Sequence, residues 1–259
     1  MSTDTLNDAK AFVGRVVLPP PPPPVLGDEE APGDKAPFDA VKQQAVVVGS
    51  DVVSFVKELT ADQRKDIVNA TLLAQLVASK KVPETKSLDD VKAWYKEYFN
   101  VLSHIGFAVQ DMQFAEYTED GKTFEAHEAI IEIAKSVLAG AAGLAIVIKT
   151  LESLKNMNKD SPWLTIFHRQ SRSANTARFQ VSLADGDATG SFLTLIAFGV
   201  SASATVTQVL FFKFKQHEST LHHQSGKLTI NDTTLASVRE DVAGKIIKFT
   251  KDFVAGIDL

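Results

Sequence analysis

The sequence contains no cysteine, so disulfide bonds, thiolate metal sites and thiol nucleophiles are all excluded. It also has no excess of positive charge, because the formal net charge of the 259 residues is −5. Binding to nucleic acid phosphates, or to anionic lipid by charge alone, needs a concentrated basic surface. We therefore expect no nucleic acid partner.

Long apolar segments are missing as well. The longest uncharged run in a helical segment, Ser136 to Ile148, is shorter than the ~20 residues that a transmembrane helix needs. The first ten residues lack both the basic start and the apolar core of a secretory signal. We expect a chain that is soluble before it acts and that leaves its producing cell without a standard signal peptide.

Catalytic motifs are absent too. The sequence has no G-x-S-x-G elbow, no P-loop, no dinucleotide-binding glycine pattern and no H-E-x-x-H zinc motif. Its carboxylates lie mainly on the polar faces of helical patterns and are assigned to solvent. We therefore predict no enzyme activity, no catalytic residue and no cofactor.

Three histidines lie close together in the sequence, at His217, His222 and His223. Adjacent residues of a strand point to opposite sides, so His222 and His223 cannot bind one metal ion together. We favour surface histidines and predict no metal site, with a shared ion at His217 and His223 as the alternative.

The first 37 residues form an arm that differs in composition from the rest. Ala11 to Leu18 predicts a short strand, and the six prolines Pro19 to Pro24 predict a stiff polyproline II spacer. A ligand for a proline-recognising domain is the alternative for that run. An acidic loop follows from Gly27 to Pro37. Residues 38–259 are expected to form one domain.

Helical patterns dominate the first half of that domain. Phe38 to Lys81 is predicted helical in two pieces, the second of which begins after Thr60 with Thr60 or Asp62 as its cap, and Ser87 begins another amphipathic helix. Glu125 to Met157 is the most apolar helical region, and two internal glycines predict a bend between two helices. A buried helical hairpin is the favoured interpretation, and a membrane-inserting hairpin is the alternative. The hairpin candidates are Gly140, Gly143, Leu144 and Ile148.

After Pro162 the hydrophobic period changes to two. Ala177 to Leu183 and Phe192 to Phe198 predict strands, and Val200 to Gln216 alternates without a turn over a possible span of roughly 50 Å. Leu221 to Ile230 predicts one more strand. The membrane-inserting candidates on these strands are Phe179, Val181, Phe192, Leu193, Leu195, Val200, Ala202, Ala204, Val206, Val209, Leu210, Phe211, Phe212 and Phe214.

The segment Thr205 to Ile230 carries a family resemblance. Its core, Gln208 to Phe212, is similar to the Q-V-L-F-F strand of the Cyt δ-endotoxin family, to which the fungal cytolysin volvatoxin also belongs. Ile130 to Leu151, followed by Pro162 to Phe167, resembles the family's apolar helix and tryptophan-bearing strand. Ala11 to Leu18 resembles its N-terminal strand, whereas the proline run has no counterpart there.

The resemblance implies a single α/β domain in which an antiparallel sheet of long strands is wrapped by layers of amphipathic helices. It implies a pore-forming, cytolytic toxin that is a soluble protoxin, binds the phospholipids of a target-cell membrane and oligomerises there after proteolytic trimming. It also implies a strand-exchanged dimer before activation, with Phe12, Val13, Val16 and Val17 as the exchanged strand. The alternative is a non-lytic lipid- or glycan-binding or structural protein on the same fold.

Overall fold

Local capping signals start the two longest helices. In the computed structural model the Thr60 side chain accepts a hydrogen bond from the Gln63 N–H and begins one helix, and Ser87 pairs in the same way with Asp90 to begin the next. The structure describes residues 3–21, 39–42, 44–109, 115–117, 124–156, 162–187, 190–203, 205–206, 209–214 and 218–257.

Eight helices and eleven strands lie within these ranges. The helices are α1 Thr3–Arg15, α2 Ala61–Lys81, α3 Leu88–His104, α4 Ala126–Val137, α5 Leu144–Asn156, α6 Pro162–Ser171, α7 Asp232–Ser237 and α8 Arg239–Phe253. The strands are β1 Ala45–Val48, β2 Asp51–Phe55, β3 Phe107–Ala108, β4 Ala115–Tyr117, β5 Phe124–Glu125, β6 Arg172–Ser173, β7 Thr176–Asp187, β8 Gly190–Ala202, β9 Lys213–Phe214, β10 Ser219–Ile230 and β11 Val254–Ile257.

Nine of the described strands form one sheet in the order β11–β1–β2–β7–β8–β10–β3, with β4 also paired to β10 and β6 to β7. Every pairing in it is antiparallel except that of β2 with β7, which is parallel. Strands β5 and β9 form a separate pair. The long strands β7, β8 and β10 are neighbours, as expected for a single α/β domain with an antiparallel sheet of long strands.

Helices cover both sides of this sheet. On one side the Tyr95 hydroxyl of α3 donates to the Phe179 carbonyl oxygen of β7 at 2.8 Å. On the other side Phe167 of α6 packs edge to face on the Phe179 ring, with 5.9 Å between ring centroids. Helix α8 packs against α2, and Arg239 at its start forms a two-pronged ion pair with Asp66 of α2. The predicted helical layers are confirmed.

The N-terminal strand predicted over Ala11 to Leu18 is wrong, because helix α1 runs through Arg15. Ala9 and Val13 are spaced four residues apart and are both buried, which is the helical spacing of one apolar stripe. Phe12 stacks on His104 of α3 with 4.2 Å between ring centroids. Strand exchange at the four candidate residues therefore has no preformed strand to use.

The first helical piece predicted from residue 38 is wrong, whereas the second, predicted after Thr60, is confirmed as α2 from Ala61. Strands β1 and β2 occupy Ala45 to Phe55 instead and are joined by a turn at Gly49, whose φ is +56°. Both strands are buried along their whole length, so their valine-rich sequence shows no period of two. Periodicity alone does not separate a buried strand of this kind from a buried helix.

The strand expected from Pro162 to Phe167 is also a helix, α6, with proline at its first position. Proline fits there because its missing N–H would have no partner inside the helix in any case. The helical region after β10 is divided at Val238 into α7 and α8, and Asn231 caps α7 by accepting from the Thr234 N–H.

Candidate membrane-active sheet and its helical cover

Strands β7, β8 and β10 contain 12, 13 and 12 residues. Strands β7 and β8 pair from Thr176–Ser201 to Asp187–Gly190, and β8 pairs with β10 from Ala202 onwards. At ~3.3 Å per residue, 12 residues span ~40 Å, which exceeds the ~30 Å of a bilayer's hydrocarbon core. Each of the three strands is therefore long enough to cross a membrane.

One side of β7 and β8, which we name the apolar face, is almost entirely hydrophobic. On β7 it consists of Ala177, Phe179, Val181 and Leu183, and the residues directly opposite on β8 are Val200, Phe198, Ile196 and Thr194. All of these except Thr194 are buried. The Phe179 and Phe198 rings stack with 4.7 Å between centroids. This surface is covered in the structure by helices.

The apolar face becomes polar on β10. Its residues there are Leu221, His223, Ser225 and Lys227, of which only Leu221 is buried. Lys227 is exposed, and its ammonium nitrogen lies 3.4 Å from the centroid of the Phe192 ring on β8. A lysine in this position can keep its charge in water while its stem covers apolar surface.

The opposite side of β7 is polar and lies beneath α2 and α3. It presents Arg178, Gln180 and Ser182 in alternation with the apolar face. The Ser182 hydroxyl lies 2.9 Å from each carboxylate oxygen of Asp51 on β2. Complete burial raises the pKa of Asp51 to about 7, although the Ser182 hydrogen bond opposes that shift. Hydrogen-bonded polar groups therefore form this interface.

The bend predicted in the apolar helical region separates α4 from α5. Gly140 has a φ of +81°, a backbone conformation that residues other than glycine rarely adopt. At Gly143 an added Cβ would lie 2.4 Å from Cδ1 of Leu183 on β7 and 3.0 Å from Cγ1 of Val56. The glycine thus lets the helical hairpin approach the apolar face directly. The other two hairpin candidates, Leu144 and Ile148, are half-buried.

The continuous strand predicted from Val200 to Gln216 is wrong. Strand β8 ends at Ala202, a turn of 3₁₀ helix covers Val209–Phe211, and β9 is a separate two-residue strand. The large apolar residues of this segment that the structure describes are buried or half-buried outside the main sheet instead. Side chains of Val206, Val209, Leu210 and Phe214 are all nearly fully buried, while that of Phe212 is half-buried. Ala204 and the side chain of Phe211 lie outside the described residues.

Tertiary hydrogen bonds determine this path. The N–H of Val206 donates to the Ala174 carbonyl oxygen, and the N–H of Val209 lies 3.3 Å from Nδ1 of His168 on α6. The Ala126 N–H of α4 donates to the Phe212 carbonyl oxygen. The segment after β8 therefore packs with α4 and α6 and does not extend the sheet.

The remaining strand candidates fall on β8 but divide between its two sides. Phe192 lies on the apolar face and is half-buried, whereas Leu193 and Leu195 are buried on the α3 side. Ala202 ends the strand on the apolar face. We predicted all of them as membrane-inserting residues because Phe192 to Phe198 is hydrophobic on both sides, so the sequence does not distinguish the two faces.

The histidines of β10 point to opposite sides of the sheet, as predicted. His222 pairs with Gly199 and His223 with Phe198, and partial burial lowers the pKa of both imidazoles. His217 lies outside the described residues. Over the ranges given above, no three acidic or histidine side chains are grouped as a metal site, and no helix has the length and hydrophobicity needed to cross a membrane.

Two residues in the polar interface were missed by the sequence analysis. Asp51 is fully buried, although carboxylates were assigned to solvent, and Arg178 lies under the helices with its guanidinium 3.9 Å from the centroid of the Trp94 ring. A single acidic residue between valine runs is the signal that could have located Asp51. The alternation of β7 gave no comparable signal for Arg178.

No protein-family model matches the sequence, and no curated protein matches it. Solved structures do. A δ-endotoxin has 18% sequence identity and a TM-score of 0.42 over 77% of this chain and 90% of its own. The Evf virulence factor has 17% sequence identity and a TM-score of 0.33 over 85% of this chain and 87% of its own. Activated Cyt2Ba monomer from Bacillus thuringiensis subsp. israelensis has 14% sequence identity and a TM-score of 0.27 over 64% of this chain and 81% of its own.

The group that the sequence motifs resemble is therefore represented among structures similar to this chain. All three TM-scores are below 0.5, so these likenesses alone do not indicate a function for this chain.

Proposed function

We propose that this protein is a membrane-active cytolysin that binds phospholipid directly and inserts strands β7, β8 and β10 into a target-cell membrane. The observation that carries the proposal is the set of three adjacent membrane-length strands with an apolar face on β7 and β8. In the folded chain α5 and α6 pack on that face, and insertion requires the α4–α5 hairpin and α6 to leave it.

The hydrophobic effect explains why release would occur only at a membrane. Burying one large apolar side chain contributes roughly 1.5–3 kcal/mol, so Phe179, Val181, Ile196 and Phe198 together contribute roughly 6–12 kcal/mol. Exposing them to water would forfeit that contribution, whereas hydrocarbon can replace the helices at little cost. The helical cover should therefore be stable in solution and replaceable by lipid.

Backbone hydrogen bonding explains why several copies are needed. Unpaired N–H and C=O groups are strongly disfavoured in hydrocarbon, so only helices and closed sheets span a bilayer. Three strands from one chain do not close a sheet. Insertion by this route thus requires a homo-oligomer in which strands of different copies pair.

A removable cross-link between the hairpin and the sheet tests the proposal. In the variant Gly143→Cys/Leu183→Cys, the second substitution removes the two methyl groups that lie 2.4 and 2.8 Å from a Cβ at position 143. The two new side chains then face each other within reach of a disulfide. Because the natural chain has no cysteine, this is the only disulfide that can form within one copy of the variant, and non-reducing electrophoresis identifies any bridge between copies.

The oxidised variant should release no dye from phosphatidylcholine vesicles, and reduction should restore release. Wild-type protein with and without reductant, and each single-cysteine variant, serve as controls. The assay is run before and after limited proteolysis, because trimming of the N-terminal arm is expected to activate the protein. Equal dye release from the oxidised and reduced variant would contradict release of the helical cover.

A non-lytic lipid- or glycan-binding role is the second candidate. The polar residues of β10 favour it, because His223, Ser225 and Lys227 interrupt the apolar face and are unfavourable in hydrocarbon. Sedimentation of trimmed protein with intact vesicles, without dye release, would support this alternative over the cytolysin.

A further inference from the structure

A cavity of about 490 Å³ lies between α2, α6, α8 and the residues that follow α1. Arg178 of β7 lines it, together with Ser79 of α2 and Arg169 near the end of α6. Its apolar wall includes Phe249 and Phe253 of α8, and Pro19 and Pro20 line another part. The volume is in the range of small-molecule sites, which combine apolar walls with a few fixed polar groups.

The Arg178 guanidinium is held rigidly by neutral groups. It stacks on the Trp94 ring, Nη2 donates to the Ser79 hydroxyl at 3.2 Å, and Nη1 donates to the Gln170 carbonyl oxygen at 3.2 Å. The Ser50 hydroxyl lies 3.4 Å from Nη1. Stacking and fixed hydrogen bonds leave the planar fork little freedom, which is how arginine is prepared for an oxyanion.

No carboxylate among the described residues compensates this charge. Burial lowers the pKa of Arg178 to about 10, so the group remains protonated at neutral pH, and no acidic residue contributes to that pKa. Its Nε has no hydrogen-bond partner in the described part of the chain. Asp51, on the neighbouring strand, is hydrogen-bonded to Ser182 instead. A desolvated charge without a counter-ion is unfavourable, and a bound anion would relieve it.

The rest of the described cavity lining also has positive charge without a compensating acidic side chain. Arg169 adds a second guanidinium, which reaches α8 by donating from Nη2 to the Asp252 carbonyl oxygen at 2.6 Å. The described lining contains no aspartate or glutamate side chain. Two fixed cations without an acid are unusual here, because the whole chain carries a net charge of −5.

We propose that this cavity binds a phosphate ester, with the phosphate between Arg178 and Arg169 and the organic part against Phe249 and Phe253. Paired guanidinium groups match the charge and the oxygen geometry of a phosphate. A soluble phosphate ester and the headgroup of a phospholipid share this chemistry. The proposal does not depend on membrane insertion.

Trp94 provides a direct measurement of binding. The chain has two tryptophans, so the variant Trp163→Phe leaves Trp94, in contact with the Arg178 guanidinium, as the single indole fluorophore. This variant is titrated with inorganic phosphate, with glycerol 3-phosphate, and with phosphatidylcholine vesicles with or without phosphatidic acid. Sodium chloride of equal ionic strength is the control. A saturable change in Trp94 emission is expected with at least one phosphate monoester probe.

Three further substitutions in this background identify the site. Arg178→Lys keeps the charge but removes the fork, and Arg169→Gln removes one exposed charge; each should raise the dissociation constant about 10-fold. Lys248→Gln removes an exposed charge from α8 outside the cavity lining and should change the constant less than twofold. Should Arg178→Lys fail to fold, as judged by circular dichroism, Arg169→Gln still decides the matter.

The outcomes distinguish a soluble phosphate ester from a lipid headgroup, and they test the phosphate site separately from the cytolysin proposal. Saturation by glycerol 3-phosphate identifies a soluble ester, and a response only to phosphatidic acid vesicles that Arg169→Gln weakens identifies a lipid headgroup. A response to inorganic phosphate alone, no response to any phosphate probe up to about 10 mM, or equal weakening by Lys248→Gln would overturn the site. Since no step measures dye release, failure here leaves the cytolysin proposal to its own test.

Discussion

Replacement of the buried carboxyl group of Asp51 should make the protein more stable in mildly alkaline solution. Asp51 is fully buried on β2, with both carboxylate oxygens 2.9 Å from the Ser182 hydroxyl. The variant Asp51→Asn keeps the size of the side chain and one oxygen that can accept from Ser182. It removes the capacity to ionise, which is the property that changes with pH, and the amide N–H groups that it adds affect stability equally at every pH.

The direction and size of the effect follow from proton linkage. Burial raises the pKa of Asp51 from 3.8 to about 7, so the folded state binds the proton more tightly than the unfolded state. The resulting stability is fully present below pH 4 and is lost as the pH rises through 7. At about 1.4 kcal/mol per pKa unit, the full loss is on the order of 4 kcal/mol, of which roughly 2.5 kcal/mol falls between pH 5 and pH 8.

Urea unfolding followed by circular dichroism at pH 5, 6, 7 and 8 measures this difference. The free energy of unfolding of Asp51→Asn should fall by roughly 2.5 kcal/mol less than that of wild type over that interval. Asp89→Asn on α3 is the matched control, because its side chain is 92% exposed and should leave the slope unchanged. A slope for Asp51→Asn equal to that of wild type would refute the reasoning.

Two further predictions concern packing. Asp66→Ala removes the two-pronged partner of Arg239, which is one third exposed and keeps Asp62 as a partner, and should lower the free energy of unfolding by about 1–2 kcal/mol in the same urea assay. A loss below about 0.5 kcal/mol would count against a structural role for the pair. Gly143→Ala should lower the thermal unfolding midpoint, because the added methyl group overpacks against Leu183. Gly140→Ala places its methyl group in open space and should cost about 1–2 kcal/mol of unfolding free energy through the positive φ alone. Adding Leu183→Ala should therefore rescue the Gly143 variant but not the Gly140 variant, and rescue of both or of neither would contradict this explanation.

The sequence predicts those elements whose determinants are local. Thr60 and Ser87 sit where caps are expected, and their helices begin directly after them. The alternation from Ala177 to Leu183 reflects a strand with different environments on its two sides. The glycines at 140 and 143 predict a bend because neither fits a helix interior well. The membrane role of the strand and hairpin candidates remains a prediction.

Elements that depend on distant partners were not predictable in this way. Strand β2 pairs in parallel with β7, matching Asp51 to Gln180, and its valines are buried on both sides. Polar and apolar residues alternate after Ala202 as they do in a strand, but hydrogen bonds from its backbone to Ala174 and to His168 direct this segment away from the sheet. These partners are far apart in sequence, so no local pattern contains them.

Arg178 illustrates the same limit within the candidate ligand site. In an alternating strand a charged residue is typical of a solvent-facing side. The packing of α2 and α3 over that side places the charge against Trp94 and encloses it, and neither helix is close to Arg178 in the sequence.

The pairing of β1 with β11 has a consequence for biosynthesis. Residues 45–48 form one edge of their ladder with residues 254–257, so a nascent chain lacking the latter leaves β1 with an unsatisfied backbone edge. Pairing between segments so far apart in the sequence slows folding, because the entropy cost of closing the long loop arises before the stabilising contacts form. The ribosome-bound chain therefore presents an open valine-rich strand to chaperones until residues 254–257 have been synthesised and have left the ribosome.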